Sequence, residues 1–364
     1  MSSSSLPSAE NMTAIRLNRS NLDRLLTLAT PSYDLSGLGT SIVHLGLGGF
    51  HRAHMARYTH DLMTKDPQAL PWGIVGAGLL ESDSAILSDL SKQDRLYTLT
   101  ERSGGAETIS VVGALAGLID ASQRTAALLD AIDRAWIVSL TVTEHGYCLD
   151  RATKQLSFAL PIIEQDLATP EAPRSVPGII VEAYRRRMAA GAPAFTALSC
   201  DNIQHNGDLL RGAVLALAAR RDPLLAAWIE AHGRFPNTMV DRITPLTQHH
   251  DVAAVAAMGV ADMRPVVAET FRQWVIEDDF ADGRPAWESV GAQFVADVAP
   301  YELMKLRLLN ATHLAIAAPA RLIGHAYIDD AMRDPALRRY AEALMERETG
   351  PTLPAVPGID LAQY

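Results

Sequence analysis

An α/β fold with a doubly wound parallel sheet, followed by a mainly α-helical domain, is what the 364-residue sequence predicts. Three observations predict it. Apolar runs rich in Val, Ile and Thr alternate with stretches of helical spacing. A glycine-rich loop joins the first such run to a helix. Strand signals stop near residue 296 and helical ones take over.

Taken in order, "SNLDRLLTLA" at 20–29 has helical spacing, with Ser20 or Asn21 as its cap. "SIVHLG" reads as a buried strand and "RAHMARYTHDLMT" as a helix; "WGIVGAG" is a second strand. "AWIVSLTVT" and "AFTALSC" are further strands that end in polar residues, with helical "GIIVEAYRRRMAAG" and "GDLLRGAVLALAARR" around them. The boundary falls near "FVADVAP", giving domains 1–295 and 296–364. Helical "YELMKLRLLNATHLAIA" and "PALRRYAEALMERE" follow, and the Pro-rich end "GPTLPAVPGIDLAQY" reads as a connector with no second element. The expectation is a C-terminally incomplete chain. No internal repeat is visible, and the serine-rich start reads as a mobile tail without the apolar run of a secretory signal.

The hydrophobic fraction of 48% and net charge of −10 suit a folded, soluble chain and argue against a nucleic-acid or anionic-membrane surface. No stretch reaches the ~20 apolar residues of a membrane span. Two cysteines exclude a disulfide framework and fit the cytoplasm. His51 with His54, and His249 with His250, lack the carboxylate or cysteine spacing of a metal site, so no metal is expected.

"IVHLGLGGFHRAH" supplies Gly46 and Gly48 as a G-x-G turn at a strand-to-helix junction, with Gly49, Phe50 and His51 following. His51 stands where a third glycine would be. In this context the loop reads as a dinucleotide site. Glu81 and Asp83, past the second strand, are the acids that would hold the adenosine ribose, and they favour NAD over a 2'-phosphorylated cofactor. Glu144, Asp201, Asn202, Asp241 and Arg242 follow later apolar runs, where ligands of parallel sheets sit.

Lys305 in "YELMKLRLLNATH" has two possible partners. Tyr301 lies four residues before it, the Y-x-x-x-K spacing of short-chain dehydrogenases. Asn310 and His313 lie after it, within an arc of roughly 140° on an α-helix. The glycine pattern differs from the short-chain one and Tyr301 lies past the strands, so the forward partners are favoured. They make a coherent chemistry. A desolvated lysine can take a hydroxyl proton, an amide can stabilise the resulting alkoxide, and a histidine can orient the alcohol.

The ordered segments "HLGLGGFHRAH", "SLTVTEHGYC", "SCDNIQHNG", "FPNTMVDRITP", "WVIEDDFADGRPAWESVGAQF" and "YELMKLRLLNATH" together resemble the polyol-specific long-chain dehydrogenases, the mannitol 2-dehydrogenase family, which also contains fructuronate and tagaturonate reductases. The resemblance implies a Rossmann-type domain, a helical domain, NAD, no metal and a monomer. It implies Lys305 as general base, Asn202 and Asn310 as the oxyanion pair, and His313 as a substrate ligand. Glu144 would gate proton exchange with water, and Asp241 would contact the site near the nicotinamide. A polyol–ketose substrate pair is expected first and a fructuronate-type reductase second; cofactor binding without turnover is a reading of another class. Two departures stand out: Pro319 inside the helix after His313, and no counterpart of the arginine that the family's longer helical domain adds.

Overall fold

The computed structural model describes residues 14–122 and 125–364. The serine-rich start therefore lies outside the described residues. The chain divides into two compact units, Met1–Trp274 with Asp278–Phe294, and Val275–Glu277 with Val295–Tyr364.

In the first unit, five strands form the central sheet: β1 (Ile42–Leu45), β2 (Ile74–Gly78), β3 (Leu115–Asp120), β4 (Ile137–Leu140) and β5 (Thr196–Ser199). Their order is β3-β2-β1-β4-β5, and every pairing is parallel. That is the doubly wound order, in which the direction of progression reverses between β1 and β4. All residues of β1, β2, β4 and β5 are buried, which is why these segments read as apolar runs rather than alternating ones. His44 is the polar exception within β1. Its Nδ1 meets Ser139 Oγ at 2.8 Å and its Nε2 meets Thr141 Oγ1 at 2.9 Å.

Helices cover the sheet. Val176–Ala189 starts at Ser175, whose hydroxyl accepts the Gly178 N–H at 3.0 Å. Proline at its first turn costs nothing, because that N–H would have no helical partner. Ile179, Ile180 and Tyr184 of this helix join Val138, Leu140, Leu210 and Val214 in one core cluster. Burying such a side chain contributes about 1.5–3 kcal/mol.

Three local outcomes differ from the sequence reading. Segment 20–29 is not an α-helix: a 3-10 turn covers Arg19–Arg24, capped by Asn18, whose side chain accepts the Asn21 N–H at 3.0 Å. The chain then turns to bury Leu25 and Leu28 while leaving Leu26 outside. The helix after the glycine loop is broken at His54 (φ −110°, ψ −92°) into α1 (Gly49–Ala53) and α2 (Met55–Lys65). An antiparallel hairpin of Tyr97–Ser103 and Ala106–Val112 has no counterpart in the sequence reading, although its turn residues, Gly104 (φ +56°) and Gly105 (φ +87°), are a hairpin signal.

The second unit is helical from Ala299 onward. Ala299–Met304 passes into a π-helix over Lys305–Asn310 and then into Ala311–Leu322. Pro319 lies inside that last helix and does not end it. Asp334 caps Pro335–Ala343 through the N–H groups of Ala336 and Leu337. Among the described residues no helix is long and apolar enough to cross a membrane.

Candidate active site

Ligands of doubly wound sheets bind beyond the carboxyl ends of the strands, where the order reverses. Here that point lies between β1 and β4. Gly46, next after β1, has φ +93°, and its N–H donates to the Ala77 carbonyl at 3.0 Å. A Cβ on Gly46 would stand 2.3 Å from the Thr141 carbonyl oxygen, so only glycine fits. Thr141 ties the two strand ends together, donating its N–H to Leu45 O (3.0 Å) and its hydroxyl to Gly46 O (2.9 Å). Gly48 precedes α1 and has nothing within 4 Å of where a Cβ would be. The loop backbone is thus open to a close-approaching group at Gly48, which fits a phosphate-binding turn.

Phe50 is half-buried and stacks on His54, ring centroids 4.9 Å apart. His51 is different. Its ring is fully buried, stacks on His44 at 3.4 Å, and has no hydrogen-bond partner at either nitrogen. The imidazole thus packs directly behind the loop. Burial lowers the pKa of both rings, His44 to about 3 and His51 well below the ordinary value, the latter also because His44, Arg52 and His54 lie close.

The two acids past β2 separate. Asp83 Oδ2 accepts the N–H groups of Leu79 (2.9 Å) and Leu80 (3.0 Å) and so closes the turn, whereas Glu81 is exposed. Glu144 follows β4 in the four-residue helix Thr143–Gly146. It is exposed and accepts a hydrogen bond from Lys154 Nζ at 2.7 Å, which holds its carboxyl below the usual range. Past β5, Asn202 is exposed and Asp201 buried. Asp241, the last residue of strand Thr238–Asp241, is also buried. Beside it, Arg242 donates to Glu269 O and Ala53 O and pairs with Glu101, which anchors the end of α1. Glycine loop, Glu144, Asn202 and Asp241 thus all lie at the carboxyl ends of strands in one unit.

In the second unit, Lys305 opens the π-helix and Asn310 closes it. Lys305 is only 5% exposed; Asn310 and His313 are half-buried. The i→i+5 bonding of a π-helix makes a wider turn than the α-helix expected from the sequence. Asn310 accordingly stands about one turn from Lys305 on the same face. His313 Nδ1 lies 3.2 Å from Leu309 O; a carbonyl only accepts, so Nδ1 carries the proton and Nε2 is the nitrogen available to a ligand. The rival partner is engaged elsewhere: Tyr301 Oη donates to Pro357 O at 2.6 Å.

Sequence reasoning passed over Tyr147 and Asn206. Both are buried and bridge strand ends, Asn206 through Asp201 O and Thr238. Polar residues inside otherwise apolar surroundings were the available signal. Among the described residues, no group of three or more His, Cys, Asp or Glu side chains is placed to hold a metal ion.

The family model for the mannitol dehydrogenase Rossmann domain matches residues 40–289, and that for the mannitol dehydrogenase C-terminal domain matches 297–364. D-mannonate oxidoreductase of Escherichia coli (strain K12) is 46% identical over 351 residues, 94% of this chain and 71% of that protein. Mannitol 2-dehydrogenase of Phaeosphaeria nodorum is 41% identical over 356 residues, 96% of this chain and 62% of that protein. The solved Pseudomonas fluorescens mannitol 2-dehydrogenase, a ternary complex with NAD and D-mannitol, superposes with a TM-score of 0.90 at 44% identity, covering 96% of this chain and 72% of that one. The chain thus spans roughly two thirds of the length of these curated relatives.

Proposed function

This chain belongs to the mannitol dehydrogenase family, and we propose that it transfers hydride between a polyol and NAD to give a ketose, with no metal and with Lys305 as the base. The observation that carries this reading is a buried lysine and an amide at the two ends of one six-residue π-helix, a placement that would set a proton acceptor near an alkoxide stabiliser. The nicotinamide supplies the hydride acceptor. Gly46, Gly48, Gly49 and Phe50 would hold the dinucleotide, Glu81 its adenosine ribose, and Asp83 the turn that presents Glu81. Residues 1–295 would form the cofactor domain and 296–364 part of the substrate domain.

In oxidation, Lys305 would remove the hydroxyl proton while the Asn310 amide hydrogen-bonds the developing alkoxide; the resemblance to the family gives Asn202 the same role. His313 Nε2 orients a neighbouring hydroxyl. Glu144, exposed to water and bonded to Lys154, passes the proton to solvent. Asp241 would contact the cofactor on its nicotinamide side. Reduction reverses each step.

A sugar-acid substrate of the fructuronate type is the second reading, supported by the 46% identity to a D-mannonate oxidoreductase. A direct test compares NADH formation with mannitol, arabinitol and sorbitol against NADH loss with fructuronate, and repeats each with the phosphorylated cofactor. Polyol-dependent NADH formation supports the first reading. Activity with fructuronate alone selects the second. NADH binding without turnover of any of these removes both.

A further inference from the structure

We propose that Asp201 is a positioning residue that sets the place of Glu144 by holding the turn after β4 against the end of β5; the catalytic part of this rests on the function proposed above. The Asp201 carboxylate accepts three hydrogen bonds from that turn. Oδ2 takes the Val142 N–H at 3.1 Å and the Tyr147 hydroxyl at 3.0 Å, and Oδ1 takes the Thr143 N–H at 2.8 Å. Tyr147 is fully buried and also bonds Ser199 Oγ, the last residue of β5. The turn needs such a clamp. Thr143 has φ +62°, a left-handed conformation that a β-branched residue resists, and such strain persists only where the surroundings impose it.

Glu144 is the residue directly after Thr143, in a helix of only four residues. Its side chain pairs with Lys154, itself half exposed, and a surface ion pair is a weak constraint. The orientation of Glu144 is therefore governed mainly by the backbone that Asp201 fixes. On its other side, Asp201 is held by Asn206, whose Nδ2 donates to Asp201 O at 2.9 Å and to Thr238 O at 3.0 Å. Asp201 touches the turn through its carboxylate and the frame through its carbonyl.

The discriminating substitution is Asp201→Asn. It keeps the size but replaces one acceptor oxygen by an NH2 group, which must then face an N–H donor, so the clamp cannot be remade. In the 364-residue chain, kcat for the preferred polyol should fall by about 10²-fold, since small misplacements of a working group cost that much. KM for the polyol and NADH affinity, read by cofactor fluorescence, should change little, because the glycine loop follows β1. Combined with Glu144→Gln, the losses should be strongly non-additive, as for residues that act through one another. Tyr147→Phe removes one of the three bonds and should give a smaller loss of the same kind. Amide exchange at Val142 and Thr143 should quicken in Asp201→Asn. Wild-type kcat in folded Asp201→Asn, additive losses with Glu144→Gln, or unchanged exchange at both amides each overturn the proposal. If the unaltered chain turns over none of the substrates, the function reading fails, and the exchange measurement alone decides whether Asp201 holds the turn.

Discussion

Lys305 and Asn310 occupy the first and last positions of one six-residue π-helix, five residues apart. On an α-helix that separation would turn the amide well away from the amine; the i→i+5 bonding brings it round to the same face. Short π segments inside longer helices recur at functional sites. If this face carries the chemistry, Lys305→Ala should abolish alcohol oxidation while NADH still binds. Turnover and cofactor fluorescence measured on the same sample check it. Tyr301→Phe should keep most of its activity, because the Tyr301 hydroxyl is bonded to Pro357 O; a loss as deep as that of Lys305→Ala would restore the Tyr-Lys pair as the acid–base couple.

Asn310→Ala should lower oxidation and reduction alike, by roughly 10²–10³ in kcat, the range typical for loss of one oxyanion donor. Steady-state rates in both directions are the measurement. A change confined to KM would remove Asn310 from the transition state.

Gly46→Ala should weaken both the fold and cofactor binding. The new methyl would meet the Thr141 carbonyl oxygen at 2.3 Å with the backbone at φ +93°. Left-handed strain alone costs about 1–3 kcal/mol at a non-glycine residue. Urea midpoints report the first effect and NADH titration the second. Wild-type values in both would mean that the loop is not held as described.

Stability should fall on acidification. Burial holds His44 near pKa about 3 and His60 near about 4, against 6.5 for a free imidazole. Between about pH 6.5 and the folded values, the unfolded chain binds protons that the folded chain does not, so unfolding becomes easier as pH drops through this window. Each pH unit that separates the folded from the free pKa is worth about 1.4 kcal/mol, so the combined loss is several kcal/mol. Urea unfolding at pH 7.5, 6 and 5 should show it. His60→Gln, which removes one of the two groups, should start less stable, because the Tyr33–His60 bond of 2.8 Å is altered, and then lose less on acidification. A midpoint independent of pH would contradict the neutral buried rings.

Chelation should leave turnover unchanged, because the groups assigned to the alkoxide are amides and the base is an amine. Assays before and after EDTA, with and without added zinc, test this. Loss on EDTA restored by zinc would replace the lysine mechanism.

The parallel sheet is legible in the sequence because strands buried on both faces must be apolar throughout, as "IVHL", "IVSL" and "TALS" largely are. The glycine loop is legible for a steric reason, since Gly46 has a carbonyl where a side chain would be. Other features are set by contacts distant in sequence. Nothing in "KLRLLN" distinguishes a π-helix from an α-helix. His51 follows a G-x-G, but nothing in that motif announces that its ring stacks on His44 and is fully buried. The helix expected at 20–29 has the right spacing, but the side chain of Asn18 and the burial of Leu25 and Leu28 shorten it.

The central position of β1 also governs how the chain is made. Its neighbour β4 follows about 95 residues later, the separation of His44 from Ser139. At roughly 5–20 residues per second of synthesis, that is a delay of about 5–20 s after β1 leaves the ribosome. During that interval β1 can pair with β2, but its other edge, with Val43 and Leu45, stays open to foreign strands. The interior of the finished protein is thus a vulnerable edge in the nascent one, and the yield of folded chain should depend on chaperone supply and on translation speed between residues 45 and 140.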